Sequence, residues 1–151
     1  MHLLTHARNR GKGAALETGY RYVQAEIGPC TVVTADADGQ HTVADIARIA
    51  AAGAAHPGKL LLGSRTFDGA DVPPRSRVGN RFTSRVFGMI TRRPVNDTQT
   101  GLRAFDSSMI DFMLRVPGER FDYEMNVLLA CTREGIPLVE LPIETVYQAG
   151  N

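Results

Sequence analysis

Leu16, Tyr20, Val23 and Ile27 recur at spacings of four, three and four, the interval that lines one face of a helix, and Gly28-Pro29 supplies its stop. Ahead of them, residues 2–5 read as a short strand that leads into the glycine-rich stretch Asn9-Arg10-Gly11-Lys12-Gly13. Thr31-Val32-Val33-Thr34 is a β-branched run of strand type, and it finishes in Ala35-Asp36-Ala37-Asp38. A second helix is predicted from Val43, Ile46 and Ile49, with Thr42 as N-cap and an end near Gly53. Residues 59–63 follow as a buried strand. From position 64 to 100 the pattern is irregular, with Pro73-Pro74 and six arginines between positions 75 and 93. There Arg77, Arg81 and Arg85 step by four while Val78, Phe82, Val86 and Met89 fall on another face, the pattern of a basic amphipathic helix. Helices are predicted around Met109, Phe112 and Met113, and around Met125, Leu128 and Leu129, the latter closed by Gly135. Val139, Leu141 and Ile143 alternate as a last strand, and Pro142, which has no N–H for a ladder, places that strand at a sheet edge. Strands alternating with helices give an open α/β sheet.

Composition narrows the function more than the fold. A chain of 151 residues, 43% hydrophobic and 22% charged, suits one soluble α/β domain. A net charge of +1 leaves no basic excess for general nucleic-acid binding. No apolar run is long enough to cross a bilayer and the start has no signal-peptide pattern, so a cytoplasmic or peripheral-membrane protein is expected. Cys30 and Cys131 lack zinc-type or redox spacing and read as two reduced, buried thiols.

The chemistry is concentrated at strand ends and in the irregular stretch. Asp36 and Asp38 stand just past the carboxyl end of a predicted strand, where open α/β sheets bind ligands, and Gln40 and His41 follow at once. Two hard oxygen ligands there suit Mg²⁺ or Mn²⁺ on a diphosphate. The same residues also suit an ordinary turn. Asn9 to Gly13 is not a P-loop, because Gly13 rather than Ser or Thr follows Lys12. Asp97 reads either as a functional carboxylate or as a loop-fixing one with Arg103 as partner. Asp122 and Glu124 suit a helix cap or a sugar-facing position, and only His41 among the histidines lies near the chemistry.

Five segments occur in order: Asn9-Arg10-Gly11-Lys12-Gly13-Ala14-Ala15-Leu16, Asp36-Ala37-Asp38-Gly39-Gln40-His41, Gly63-Ser64-Arg65, Asp97-Thr98-Gln99-Thr100-Gly101-Leu102-Arg103 and Glu140-Leu141-Pro142-Ile143. Together they resemble the motif series of family-2 glycosyltransferases with a GT-A fold, particularly the dolichyl- or polyprenyl-phosphate mannose or glucose synthase-like branch. The resemblance covers nearly the whole chain. It implies an open, mostly parallel Rossmann-like sheet flanked by helices, and inverting, metal-dependent transfer from a nucleotide-sugar to a polyprenyl or dolichyl phosphate. By position it assigns Asp36, Asp38 and Gln40 to the Mg²⁺ or Mn²⁺ ion, and Lys12 with these three to the donor's phosphates, with packing of the glycine-rich stretch at the helix start as the alternative for Lys12. It assigns Arg65, Arg75, Arg77 and Arg103 to substrate, where guanidinium forks match phosphate oxygens. A solvated basic face is the alternative for the arginines. Asp97 and Asp38 are the candidate catalytic residues. A phosphate monoester has a second pKa near ~6 and needs no strong base, so Asp97 is expected to orient the acceptor, an arginine or the sugar.

Members of this family open with a Pro-x-Tyr-Asn-Glu-like loop and strand-helix units that hold the nucleobase, and none precedes Asn9. The expectation is a partial GT-A domain over 1–151, lacking the first strand-helix units and transferring sugar poorly or not at all alone, with a donor metal site at 31–41 and an acceptor-loop region at 64–104. An exposed sheet edge would then favour self-association, and the basic amphipathic stretch would provide peripheral membrane contact. A non-catalytic binding or assembly module derived from such an enzyme is the alternative, and a pyrophosphate-releasing nucleotidyltransferase a weaker one.

Overall fold

The computed structural model describes residues 1–65, 87–88 and 95–144. The amphipathic stretch with Arg77, Arg81 and Arg85, and Arg75 beside it, lies outside the described residues.

Helix α1 (Lys12–Tyr22) begins without a side-chain cap. Its entry is fixed instead by the Ala14 N–H, which donates to Glu119 O at 3.1 Å. The helix runs on into a π turn, Val23–Ile27, that ends on Gly28 at φ 81, whose N–H reaches back five residues to Val23 O. That wider turn breaks the predicted stripe, because a residue four beyond Val23 no longer returns to the same face. Tyr20 is buried, Leu16 and Val23 pack on the core, and Ile27 is exposed. Residues 2–5 form no strand.

Strand β1 (Thr31–Thr34) and helix α2 (Val43–Ala55) follow the sequence expectation, with Thr42 Oγ1 accepting the Asp45 N–H at 3.1 Å. The predicted end at Gly53 falls two residues short. Gly53 is a packing position: a Cβ there would lie 2.8 Å from Thr31 Cγ2 and 3.1 Å from Ala104 Cβ, so its lack of a side chain seats α2 against the sheet. Ile49 faces that contact, while Val43 in the first turn remains exposed. Strand β2 (Leu60–Arg65) is buried through its first five residues.

Strand β3 (Arg103–Asp106) has no counterpart in the predicted elements. A 3-10 turn (Ser107–Met109) leads from it into α3 (Ile110–Arg115). Helix α4 (Asp122–Glu134) closes on Gly135 in the left-handed conformation, as expected, and β4 (Leu138–Ile143) completes the described elements.

The sheet order is β1-β3-β2-β4. β3 runs antiparallel to both neighbours, and β2 pairs with β4 in parallel. Three of the four strands point the same way, but β3 between β1 and β2 makes two of the three pairings antiparallel, so this is a mixed α/β sheet flanked by helices rather than a mostly parallel one, and among the described residues β4 with Pro142 is at an edge. Side chains alternate between two cores. Leu60, Leu62 and Phe105 face α1, α3 and α4 with Tyr20, Met113, Tyr123 and Leu128, while Leu61, Ala104 and Leu102 face α2 with Ile49 and Ile143. Each fully buried leucine contributes about 1.5–3 kcal/mol, so this alternation fixes the strand register. Cys131 is buried and Cys30 half-buried, both free thiols.

Candidate functional site

The carboxyl ends of β1 and β2 and the start of β3 meet at one rim of the sheet, and the loop 96–102 lies across it. Thr34 at the end of β1 is tied to this loop by its hydroxyl, which donates to Gly101 O at 3.0 Å. Two residues on, the Asp36 carboxylate occupies the space that a side chain at position 101 would take. A Cβ on Gly101 would come within 2.3 Å of Asp36 Oδ2.

Lys12, in the first turn of α1, reaches into the same place. Its Nζ lies 2.6 Å from Asp36 Oδ1 and 2.9 Å from Glu124 Oε2 on α4. Partial burial pushes the Lys12 ammonium toward losing its proton, but the hydrogen bonds and charges of Asp36 and Glu124 outweigh this and raise its pKa. The flanking glycines serve packing: a Cβ on Gly13 would stand 2.5 Å from Gly118 O and 2.7 Å from Tyr123 Cβ. The glycine-rich stretch thus docks α1 on residues 118–123 and carries the one cation between them to Asp36.

Arg103 lies behind this cluster and is almost wholly buried. As the first residue of β3 it shares a face with Phe105, toward α1 and α4. Its Nε donates to Thr100 O at 3.0 Å and its Nη1 to Glu124 O at 2.9 Å, while buried Nη2 has no hydrogen-bond partner among the described residues. Burial lowers its pKa, opposed by the charge of Glu124. Two cations, Lys12 and Arg103, thus stand with two carboxylates, Asp36 and Glu124, at the sheet rim.

The expected pairing of Asp97 with Arg103 does not form. Asp97 is fully buried and takes the fork of Arg65 instead, with Nε 2.6 Å from Oδ2 and Nη2 3.1 Å from Oδ1. Arg65 ends β2 beside the loop, whereas Arg103 is directed to the α4 side. Asp97 also accepts the Gln99 N–H at 3.1 Å. From below, Glu140 on β4 accepts the backbone N–H groups of Asn96 and Asp97 at 2.9 and 3.2 Å and the Asn96 amide at 3.0 Å. The loop is therefore clamped at both ends of the Asn96-Asp97 pair.

Asp38 is exposed, and its Oδ1 accepts the Gln40 N–H at 3.0 Å, the bond of an ordinary Asx turn. The His41 ring is half-buried, with Nδ1 unpartnered among the described residues. No group of three or more His, Cys, Asp or Glu that could hold a metal lies together among the described residues. Asp36 and Asp38 offer carboxylate oxygens, the donor type that a hard divalent ion takes together with substrate phosphates and water. Asp36 already carries a cation, the Lys12 ammonium, in a cradle shaped by Gly101.

The structure thus brings Lys12, Asp36 and Arg103 together, places Arg65 and Asp97 as a pair beside them, and keeps Asp38 and Gln40 in the adjoining turn. Arg75 and Arg77 lie outside the described residues. Glu124 and Glu140 had been given no secure role. Glu124 falls in the first turn of α4, where the helix dipole favours a carboxylate, and a charged residue in the alternating segment from 139 to 143 was the available signal for Glu140.

A family model described as glycosyl transferase family 2 matches residues 1–115. The UDP-N-acetylglucosamine–dolichyl-phosphate N-acetylglucosaminyltransferase of Methanococcus voltae is 30% identical over 148 residues, 95% of this chain and 59% of that protein. An uncharacterized protein of Methanocaldococcus jannaschii is 29% identical over 146 residues, 94% of this chain and 60% of its own length. The chain therefore spans about 60% of the length of these curated relatives. No solved structure matches it significantly.

Proposed function

The chain belongs to glycosyl transferase family 2, and on that premise we propose that it carries the core of an enzyme that transfers a sugar from a nucleotide-sugar to dolichyl or polyprenyl phosphate. The observation that carries this reading is the Lys12–Asp36–Glu124 cluster at the carboxyl end of β1, with Asp36 seated against Gly101. The similarity to a dolichyl-phosphate N-acetylglucosaminyltransferase supports the acceptor class and makes UDP-N-acetylglucosamine the first donor to test.

In this reading Asp36 and Asp38 hold the divalent ion, with Gln40 beside them, and the ion when bound neutralises charge on the leaving diphosphate. Lys12 is the protein's own cation for the donor phosphates. An acceptor phosphate oxygen forms its bond to the anomeric carbon as the bond to the donor diphosphate breaks, the diphosphate leaving with the electron pair. Attack from the opposite face inverts the configuration. The acceptor is largely ionised at neutral pH, its second pKa being near ~6, so no strong base is required. Asp97, buried and paired with Arg65, acts as a positioning group that sets the Arg65 guanidinium at the rim. Arg103 holds the backbone of Thr100 and Glu124 in place.

The test is incubation of the chain with radiolabelled UDP-N-acetylglucosamine, dolichyl phosphate and Mn²⁺. Transfer that is weak in this chain and lost with Asp36→Asn is the expected result. Binding of donor and acceptor with no transfer would place the chain in the class of binding modules instead.

A further inference from the structure

Lys12 holds the position at Asp36 that a divalent cation would need. Its ammonium is 2.6 Å from Oδ1, and the other oxygen of that carboxylate lies in the space a side chain at position 101 would fill. Glu124, buried on α4, holds the ammonium from the other side at 2.9 Å. Two cations cannot share one partly buried carboxylate oxygen at contact distance without strong repulsion. We propose that Lys12 is a built-in competitor of the divalent cation at Asp36, displaced only when a diphosphate draws its ammonium away.

This inference rests on the reading of Asp36 as a cation-binding residue. It makes donor and metal mutually dependent. Metal alone meets a site already neutralised, and diphosphate alone must pull Lys12 from two carboxylates. Each ligand favours the state in which Lys12 has moved from Asp36 to the diphosphate, so each strengthens the other by the same factor. The physical consequence is that free metal is held only weakly and the donor enters as its metal complex.

The experiment measures Mn²⁺ binding by the loss of the free-ion electron paramagnetic resonance signal, with and without UDP, each against a protein-free solution of the same Mn²⁺ and UDP content that accounts for the Mn²⁺–UDP complex. It uses the unsubstituted chain, Lys12→Met, Asp36→Asn and Arg10→Met. Competition predicts that Lys12→Met binds Mn²⁺ alone at least about fivefold more tightly than the unsubstituted chain, the low end of ordinary site-to-site coupling, and gains less from UDP. Arg10→Met removes a nearby exposed charge that pairs with Glu119 rather than Asp36, and should leave Mn²⁺ affinity close to the unsubstituted value. Because Lys12→Met leaves buried Glu124 unpaired, Lys12→Met/Glu124→Gln repeats the measurement with both charges removed. Equal Mn²⁺ affinity with and without Lys12, or equal tightening by Arg10→Met, overturns the competition while loss of binding in Asp36→Asn leaves the metal assignment standing. Mn²⁺ binding that survives Asp36→Asn overturns both.

Discussion

A methyl group at position 101 would lie 2.3 Å from Asp36 Oδ2 and 2.6 Å from its Cγ, so Gly101→Ala forces the carboxylate or the loop to move. Overpacking of this kind costs about 1–3 kcal/mol. Gly101→Ala should therefore lower stability in urea unfolding and weaken Mn²⁺-dependent UDP binding together. Full retention of both would show that Asp36 is not seated where it is described. The carboxylate–strand-end relation was legible in sequence because Asp36 follows a β-branched run directly. Its partners were less so, since Lys12 and Glu124 lie 24 and 88 residues away in sequence and only packing of α1 and α4 on the same face joins them. The Asp97 partner was misassigned for a related reason. Arg103 is close to Asp97 in the motif, but strand alternation turns it to the α4 side, and Arg65 arrives from a different strand.

Glycines divide helix α1 into a docked turn and a free one. A Cβ on Gly13 would stand 2.5 Å from Gly118 O, whereas one on Gly19 would meet nothing within 4 Å. Gly13→Ala should destabilise by about 1–3 kcal/mol, and Gly19→Ala should stabilise by about 0.5–1 kcal/mol by stiffening the unfolded chain. Denaturant midpoints of the two variants measure this directly, and shifts of the same sign would refute the docking. Elements with a local signal were readable: the Thr42 cap, the leucine run of β2 and the Gly135 stop. Strand β3 was not, because four residues that begin with a buried arginine carry no alternating apolar signature, and its place between β1 and β2 is a tertiary fact. The π turn at Val23–Ile27 likewise left no mark on the apolar spacing.

At the scale of the molecule, the core on the α1 and α4 side contains three groups that burial keeps neutral. Burial pushes the Cys131 thiol up from 9.0 to about 12, and raises the Tyr20 and Tyr123 hydroxyls above their ordinary 10.0. Below pH ~8 these groups are neutral in both folded and unfolded chains, and their contribution to stability is complete. Above it the unfolded chain ionises first, so stability is lost progressively toward pH 12. Thermal unfolding between pH 8 and 11 should show a falling midpoint, and a flat profile would contradict the burial of these side chains. The two-faced sheet, its edge strand and the position of Asp36 at its carboxyl rim were legible from periodicity and motif order, whereas the wiring of that rim depended on contacts between distant segments. No helix among the described residues is long and apolar enough to cross a membrane. The central claim is that the Asp36 rim binds a nucleoside diphosphate through a divalent ion. Calorimetric titration of UDP, with Mn²⁺ and with chelator, into the unsubstituted chain, Asp36→Ala and Asp38→Ala tests it most directly. Binding that requires Mn²⁺ and is lost in both variants, with the fold intact by circular dichroism, is the result predicted; binding unchanged by either substitution would contradict it.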